Sequence, residues 1–485
     1  MYQALRIRPR WWMLVLACYS VAFAAPARAA DAPRPNIVFI LADDLGVGDL
    51  GCYGQQKIKT PRIDRLATEG MKFTRFYAGC PVCAPSRCTL MTGKHQGHAF
   101  IRDNKGMKPE GQYPIPADEV TLFDLLKKAG YATGAFGKWG LGPMESTGDP
   151  LAHGVDSFFG YNCQSKAHNF YPKTLWKNHQ LVELPGNSGG VTGKTYSHDV
   201  IEEATLGFLR EQAKGDKGQA QKPFFLYVPF TIPHLALQVP EDSLAEYERA
   251  FEETPYAGKA YQPHPKPKAA YAAMITRMDR SVGRIVDLLE ELKLADNTLI
   301  CFTSDNGAGA DGFAGLHTEF FQSMLNLRGW KGSMYEGGIR VPFVARWPGK
   351  IKAGTTSDLP AAFSDVLPTL CDVAGVPTPA GIDGLSIKPT FLGVGDQPPR
   401  EHLYCEFAGY GGWQAVWLGN WKGLRKNLQK ELSAIELYDL ANDPSEKTDL
   451  AAKHPDVVAK IAEIMQREHT PSALFPMKSL DRAKK

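Results

Sequence analysis

The architecture of this protein follows from the stretch NIVFILADD, residues 36–44. Its first six residues are almost wholly apolar and rich in β-branched side chains, which is typical of a strand buried on both faces of a sheet. The stretch then changes abruptly to Asp43 and Asp44. The sequence therefore predicts a buried strand that carries two carboxylates at its carboxyl end.

Further strands and helices alternate along the chain after this first strand. The predicted strands cover 131–136, 223–228 and 298–303, and the predicted helices begin at Thr60-Pro61 or cover 121–128 and 271–294. This alternation predicts an α/β fold, in which a large, mostly parallel sheet is flanked by helices. In such sheets ligands bind beyond the carboxyl ends of the strands.

The composition of the sequence and its pattern of apolar runs change after residue 393. Short apolar runs from residue 402 onward, followed by a helix over 455–468, predict a smaller antiparallel sheet with a helix. A chain of 485 residues also exceeds the size at which a single core keeps growing. We therefore expect a large α/β domain over 30–393 and a smaller α+β subdomain over 394–485.

The first 29 residues have the pattern of a signal peptide. Basic residues among the first ten precede an apolar stretch over 11–25, which is followed by a small-x-small cleavage site at 27–29. The apolar stretch is shorter than a membrane-spanning helix. We expect cleavage after this site and a periplasmic or secreted protein that is not inserted in a membrane. A loose resemblance to a lipoprotein box leaves open a lipid anchor at Cys18.

The composition excludes several classes of protein. Hydrophobic residues make up 44% and charged residues 22%, which is ordinary globular usage and argues against a disordered or fibrous chain. The 55 Lys and Arg against 52 Asp and Glu give a formal charge of +3, which is too small for the footprint of a nucleic-acid binder. We therefore expect no nucleic-acid partner.

A second pair of polar side chains follows the predicted strand over 298–303. Asp305 and Asn306 come directly after this strand, as Asp43 and Asp44 follow the first. Taken singly, each pair is more often a turn. Brought together at one edge of the sheet, the four side chains supply the hard oxygen ligands that Ca²⁺ or Mg²⁺ prefers.

The motif CAPSRCTLMTG, residues 83–93, is the sharpest feature of the sequence. Pro85 is placed to start a helix, so Cys83 is expected at the helix amino end, where free N–H groups favour an anion. Arg87 follows one turn along. The same region leaves another possibility open, a small zinc site or redox pair. That site would draw on Cys80, Cys83, Cys88, His95 and His98.

These motifs occur in one order, with the Asp-Asp strand end first, then C-x-P-S-R, GKW at 137–139 and DNG at 305–307. The order resembles that of the type I sulfatases, and the resemblance covers about 36–444. It implies the alkaline phosphatase superfamily fold and a sulfuric ester hydrolase that uses Ca²⁺. It also implies that a maturation enzyme oxidises Cys83 to Cα-formylglycine.

The resemblance gives a role to each matching position. The Ca²⁺ ligands are Asp43, Asp44, Asp305 and Asn306, together with residue 83. Arg87 orients the formylglycine, and the sulfate-binding side chains are Lys138, His234 and Lys331. Trp330 and Tyr335 flank the last of these and suit a sugar ring.

One position departs from the family pattern. Many members have a histidine directly after Lys-Trp, where it contacts the formylglycine hydroxyl, but this sequence has Gly140. Some imidazole function is therefore absent or comes from elsewhere. His168, in the loop sequence AHNFYP, is our candidate for it.

The resemblance also implies the course of the reaction. A hydrated aldehyde has two hydroxyl groups, of which one attacks sulfur and the other later expels the sulfate. Ca²⁺, Lys138 and Lys331 neutralise charge on the sulfate oxygens. His234 or Lys331 protonates the departing alcohol, and His168 or an aspartate acts as the base that restores the aldehyde.

The sequence thus predicts an exported, Ca²⁺-dependent sulfatase whose substrate is a sulfated carbohydrate, or a simple aryl sulfate in assays. Three alternatives stay open. The first is a formylglycine-dependent phosphodiester or phosphonate monoester hydrolase. The others are a non-catalytic sulfated-glycan binding protein, in which Cys83 stays a thiol, and the zinc or dithiol protein described above.

Overall fold

Two sheets and the helices around them make up the part of the chain that a computed structural model describes, which is Met1 and residues 34–108, 110–215 and 221–483. The strands are β1 (Asn36–Ala42), β2 (Met71–Tyr77), β3 (Ala132–Lys138), β4 (Ser157–Tyr161), β5 (Thr174–Lys177), β6 (Gln180–Glu183), β7 (Phe224–Pro229), β8 (Thr298–Ser304), β9 (Arg340–Arg346), β10 (Thr355–Ser357), β11 (Ala361–Ala362), β12 (Leu403–Phe407), β13 (Trp413–Leu418), β14 (Trp421–Lys426) and β15 (Glu436–Asp439). The predicted signal peptide and Cys18 lie outside the described residues, apart from Met1.

The helices cover both faces of the larger sheet and one face of the smaller. They are α1 (Pro61–Thr68), α2 (Cys83–Thr92), α3 (Leu122–Lys128), α4 (Ser197–Lys214), α5 (Glu241–Leu244), α6 (Pro267–Glu291), α7 (Thr318–Phe321), α8 (Glu336–Ile339), α9 (Val366–Ala374), α10 (Lys388–Leu392), α11 (Pro455–Glu468) and α12 (Lys478–Ala483). A 3₁₀ helix at Ser165–His168 becomes important for the site below.

The larger sheet is built around β1, which is buried along its whole length. Its order is β10-β2-β9-β8-β1-β7-β3-β4-β5-β6, and β11 also pairs with β2. β1 runs parallel to both β7 and β8, and β3 runs parallel to β7 and β4. The antiparallel exceptions are β9, between β8 and β2, and the edge strands β5 and β6. The prediction of a mostly parallel sheet flanked by helices is confirmed.

Local sequence signals explain where several helices begin. Thr121 and Asp124 form a capping box at the start of α3, and Pro61 opens α1. The prediction that Pro85 starts the motif helix is wrong, because α2 begins two residues earlier, at Cys83. Pro85 is tolerated as the third residue, since the first-turn N–H groups of a helix have no partner within it.

The smaller sheet has the order β12-β13-β14-β15, with each strand antiparallel to its neighbour. Helix α11 packs on it through Ile461, Ile464 and Met465, which join Val416 and Leu437 in one apolar cluster. The predicted antiparallel sheet and its helix are therefore confirmed. The domain boundary at residue 393 stays a prediction.

A buried ion cluster ties the smaller sheet to the loop that precedes α8. Lys422 on β14 is fully buried, and its Nζ lies 2.9 Å from Glu336 Oε1 and 2.8 Å from Glu446 Oε1. Glu336 Oε1 also accepts a hydrogen bond from Trp417 Nε1 at 2.9 Å. Because Glu336 is the first residue of α8, the cluster fixes the end of the loop that carries Lys331.

Replacing Lys422 with methionine is expected to lower the free energy of unfolding by about 3–5 kcal/mol, because Glu446 would stay buried without its cation and Glu336 would keep only Arg340, at 3.5 Å. Denaturant unfolding measures this change. Lys426→Met is the matched control, since Lys426 is on the same strand but its side chain is 38% exposed in its ion pair with Glu436. An exposed pair contributes only about 0–1 kcal/mol. Equal losses in the two variants would contradict the role given to the buried cluster.

The cysteines of the described region are all free thiols. They are Cys52, Cys80, Cys83, Cys88, Cys163, Cys301, Cys371 and Cys405. Neither Cys80 nor Cys88 belongs to a metal-binding group among the described residues. The structure therefore does not bring the cysteines and histidines of the predicted zinc site or redox pair together, although His95 and His98 form a separate candidate group with Asp383. No helix in the described part of the chain has the length and apolar character needed to cross a bilayer.

Candidate active site

Two pairs of polar side chains meet where β1 and β8 end. Ala42 pairs with Ser304 in the parallel register, so the residues that follow the two strands are neighbours. The Asp44 N–H donates to Asp305 Oδ1 at 3.2 Å, and Asn306 Nδ2 donates to Asp44 Oδ1 at 2.8 Å. The adjacency that the sequence predicted for these pairs is present, and all of these side chains are buried.

The donor set at these strand ends fits a hard divalent cation. Asn306 Oδ1 is buried and accepts no hydrogen bond from the residues that the structure describes. An unpaired buried carbonyl oxygen is costly, and the amide that carries it bonds to the Asp44 carboxylate through Nδ2. A bound cation would give this oxygen a partner. Because the donors are oxygen atoms, Ca²⁺ or Mg²⁺ suits them better than a soft metal.

Helix α2 brings Cys83 to the same point. The thiol lies 3.5 Å from Asp43 Oδ1, and the residue is only 2% exposed. As the first residue of the helix, Cys83 stands beside N–H groups that lack helical partners. Asn104 Oδ1 accepts one of these bonds, from the Ala84 N–H at 3.0 Å. The helix start is thereby fixed against the loop that follows the motif.

Arg87 joins the helix to two of the strand ends. Its Nε and Nη2 atoms donate to Asp305 Oδ2 at 3.1 and 2.8 Å, and Nη1 donates to the Lys138 carbonyl oxygen. Ser86 makes a further link, since its Oγ donates to the Asp305 carbonyl oxygen at 2.6 Å. The fork geometry of a guanidinium suits such a fixed, buried arrangement.

Two lysines, one on β3 and one in the loop before α8, bring positive charge to the carboxylates. Lys138 is the last residue of β3 and is fully buried, with Nζ 2.6 Å from Asp43 Oδ2. Lys331 lies in the loop before α8, with Nζ 2.8 Å from the Asp44 carboxylate and 3.5 Å from the Cys83 sulfur. This loop is held by the Lys331 N–H, which donates to the Ala308 carbonyl oxygen at 2.8 Å.

Two histidines form one wall of the site. His234 Nε2 lies 3.5 Å from Asp44 Oδ2, while its Nδ1 donates to the Leu235 carbonyl oxygen, which leaves Nε2 as the basic nitrogen. The His168 ring stacks on the His234 ring, with centroids 4.8 Å apart and an interplanar angle of 10°. Tyr261 covers both, with its ring centroid 5.4 Å from that of His168.

Burial and charge shift the pKa values of these groups. Burial raises the pKa of the Cys83 thiol to about 12, so at neutral pH the group is protonated and weakly nucleophilic. Burial, with the neighbouring His234 and Lys138, lowers the pKa of His168 to about 3. Burial would raise the pKa of Asp43, but Lys138 and the other nearby cations hold it well below its ordinary value. The cluster therefore combines ionised carboxylates with neutral imidazoles.

The structure brings every predicted site residue into this cluster. They are Asp43, Asp44, Cys83, Arg87, Lys138, His168, His234, Asp305, Asn306 and Lys331. His95 and His98 lie apart from it and bond to Glu468 and Asp383. Trp330 is 51% exposed, but Tyr335 is buried among Trp413, Tyr438 and Arg328 and so does not face a sugar.

Some residues of the site were missed by the sequence reasoning. Ser86 is part of the quoted motif, and its hydroxyl was given no role. Tyr261 precedes the Pro- and Lys-rich stretch 263–268, which reads as an exposed loop, so no local signal placed its ring on the histidines.

Comparison with known proteins identifies the family of this chain. The profile of the family described as Sulfatase matches residues 35–376, which covers the first strand, the motif helix and the Lys331 loop. The chain belongs to the sulfatase family. A second profile, described as N-sulphoglucosamine sulphohydrolase, C-terminal, matches residues 328–470. This sulfatase is therefore a sulfuric ester hydrolase, and the resemblance drawn from the motifs is confirmed.

Relatives of this sulfatase match over nearly the whole chain. The N-acetylgalactosamine-6-sulfatase of Canis lupus familiaris is 31% identical, over 94% of this chain and 89% of its own. The N-acetylgalactosamine-6-O-sulfatase of Bacteroides thetaiotaomicron is 32% identical, over 90% and 93%. Among solved structures, Ps i-CgsB in complex with k-i-k-neocarrahexaose superimposes with a TM-score of 0.75 at 26% identity, over 93% and 96% of the two chains.

Proposed function

We propose that this protein is an exported sulfatase that hydrolyses a sulfate ester of a carbohydrate through a formylglycine at position 83, with Ca²⁺ bound at the ends of β1 and β8. The observation that carries this proposal is the position of Cys83. Its sulfur lies 3.5 Å from Asp43 Oδ1 and 3.5 Å from Lys331 Nζ, at the junction of the oxygen cluster and the cations.

The fold family implies two groups at this junction, and the residues present fit both. Formylglycine at position 83, when hydrated, supplies two hydroxyl groups, one for attack on sulfur and one for expulsion of the sulfate. Ca²⁺, when bound by Asp43, Asp44, Asp305 and Asn306, supplies a Lewis acid for the sulfate oxygens.

The side chains of this protein bind and orient the anionic substrate. Three carboxylates (Asp43, Asp44, Asp305) face three cations (Arg87, Lys138, Lys331), so a bound dication leaves the site positive and matched to a sulfate ester. Lys138 and Lys331 approach from opposite elements and neutralise charge on sulfate oxygens. The buried position of the cluster strengthens each of these interactions.

Proton transfer falls to the histidines and Lys331. Lys331 Nζ lies beside Asp44 and donates a proton to the departing alcohol. His234 Nε2 also lies beside Asp44 but is unprotonated, so His234 acts as the acid only after it has taken up a proton there. His168, stacked on His234, is proposed as the base that takes the proton of the second hydroxyl of residue 83.

The exposed surface beside Lys331 supports a carbohydrate substrate. Trp330 is 51% exposed directly next to this lysine, and an exposed aromatic ring is suited to packing on the apolar face of a sugar. Relatives named N-acetylgalactosamine-6-sulfatase and a related structure with bound neocarrahexaose support the same class. Export is supported by the signal-peptide pattern of the first 29 residues.

Turnover and peptide mass test the proposal together. Protein from its native host, or co-expressed with a maturation enzyme, is expected to hydrolyse nitrophenyl sulfate with a higher kcat/KM than nitrophenyl phosphate or a phosphonate monoester. The peptide that contains residue 83 is expected to be roughly 18 Da lighter than its cysteine form. A preference for the phosphorus esters would favour the phosphonate hydrolase. Glycan binding without turnover of either class would favour the binding protein.

His168→Ala is expected to lower kcat by roughly 10²-fold or more, because it removes the proposed general base. His168→Phe separates this role from packing, since a phenyl ring keeps the stack on His234 but has no nitrogen atoms. Both variants are expected to lose activity to a similar degree in initial-rate assays. Full activity in His168→Phe would reduce His168 to a packing residue.

A further inference from the structure

Gln164 lies beside Gly140, two residues beyond the site residue Lys138, and has no part in the mechanism above. It is the residue directly before the 3₁₀ helix Ser165–His168, so a single turn separates it from His168. The backbone just before Gln164 lies beside the segment that follows Lys138. The Gly140 N–H donates to the Asn162 carbonyl oxygen at 3.2 Å. Gln164 therefore belongs to the wall that carries the proposed base.

The side chain of Gln164 fills the space beside Gly140. A Cβ atom added to Gly140 would lie 2.0 Å from Gln164 Nε2 and 3.7 Å from Arg87 Cδ. The carboxamide thus occupies the place in which any side chain at position 140 would begin. Because Gly140 has no side chain, this place is open to an amide from another part of the chain.

The amide of Gln164 has no hydrogen-bond partner among the residues that the structure describes. The residue is 8% exposed, and neither Nε2 nor Oε1 makes a hydrogen bond to any residue that the structure describes. A buried, unpaired amide costs free energy, and such groups in natural proteins call for a ligand or water that completes their bonding. Gln55 gives the contrast, since its Nε2 donates to the Gly48 and Phe321 carbonyl oxygens, each at 2.8 Å.

We propose that Gln164 is a further substrate-contacting residue of this sulfatase, whose Nε2 donates a hydrogen bond to an oxygen of the sulfate group. The inference rests on the proposed function. An amide does not titrate near neutral pH, so Gln164 moves no proton. Its contribution is that of an oxyanion-hole donor, which is strongest toward the charge that develops as the ester bond breaks.

Gln164→Leu is expected to lower kcat/KM for nitrophenyl sulfate by roughly 10²-fold. Its Tm is expected to be unchanged or higher, because the substitution removes an unpaired amide from a buried position. The matched control is Gln55→Leu, which removes a fully bonded amide and is expected to lower Tm while leaving kcat/KM within about twofold. Gln164→Glu keeps the shape of the side chain but replaces the N–H donor with a negative oxygen, which repels the sulfate. Its kcat/KM is expected to fall at least as much as that of Gln164→Leu.

Binding of inorganic sulfate gives a readout that does not depend on turnover. Sulfate is expected to raise the Tm of the wild-type protein, and by a smaller amount in Gln164→Leu. If kcat/KM and the sulfate-dependent Tm shift were both unchanged in Gln164→Leu, the role given to Gln164 would be wrong and the proposed function would stand. A parallel fall in Tm and activity would also overturn the role given to Gln164, since that pattern marks a structural glutamine. A wild-type protein without turnover or a sulfate response would instead overturn the proposed function on which the inference rests.

Discussion

Cys83→Ala is expected to lower kcat for sulfate esters by on the order of 10⁶-fold, as loss of the nucleophile does in other hydrolases with a covalent mechanism. The side chain at position 83 lies 3.5 Å from both Asp43 Oδ1 and Lys331 Nζ, where the proposed attack on sulfur takes place. The fold is expected to persist, because alanine is a smaller apolar side chain at a buried helix start. Initial rates together with circular dichroism measure both effects.

Two further variants make this test specific. Cys88→Ala changes a buried cysteine of the same helix to which the mechanism gives no role, and it is expected to keep kcat while losing some stability. Cys83→Ser supplies only one hydroxyl group, so it is expected to release one equivalent of alcohol and then stop as a serine sulfate. Steady turnover by Cys83→Ala at more than a thousandth of the wild-type rate would contradict the assignment of the nucleophile.

Removal of the divalent cation by a chelator is expected to lower kcat/KM by at least about 10²-fold, with recovery on addition of Ca²⁺. Lys138 and Lys331 lie 2.6 and 2.8 Å from carboxylate oxygens of Asp43 and Asp44. A dication held by these carboxylates would compete with the lysines for them and so leave the lysine charges available to the sulfate. Free Ca²⁺ at 100 times its dissociation constant is also expected to stabilise the fold by about 2.7 kcal/mol, which thermal unfolding measures.

Two variants locate the site of this effect. Asn306→Leu removes the unpaired Oδ1 atom and is expected to raise the Ca²⁺ concentration needed for recovery. Asp383→Asn alters a separate group, in which Asp383 bonds to His98 beside His95, and is expected to leave the Ca²⁺ requirement unchanged. If the Ca²⁺ concentration needed for recovery rose in Asp383→Asn but not in Asn306→Leu, the metal site would instead be the group of His95, His98 and Asp383.

Local patterns were enough to predict the frame of the site. The apolar runs that became β1 and β8 end in polar residues, and parallel strands that share one sheet bring such ends together. The Asp43 and Asp305 pairs were therefore placed correctly in relation to each other. Capping residues likewise located α1 and α3 within a residue or two.

Contacts between distant segments were outside the reach of the same patterns. β9 was not predicted, because an antiparallel strand inserted between β8 and β2 has no distinct local signature. Gln164 carried no signal either, since its significance depends on Gly140 and on the absence of a hydrogen-bond partner, which only a folded chain reveals. The same holds for Lys422, whose partners Glu336 and Glu446 lie on separate segments.

Because β1 lies inside the larger sheet, its pairing must wait until the ribosome has made the neighbouring strands. β1 is made first, but its neighbour β8 is completed only at Ser304. At the usual rates of roughly 5 to 20 residues per second, the ribosome reaches Ser304 on the order of 10 to 40 s after Cys83. Until then α2 has no pair of strand ends on which to dock, and its thiol is open to a modifying enzyme. Once the sheet closes, Cys83 is 2% exposed. The maturation enzyme of the proposed function would therefore have to act on the chain before the sheet is complete.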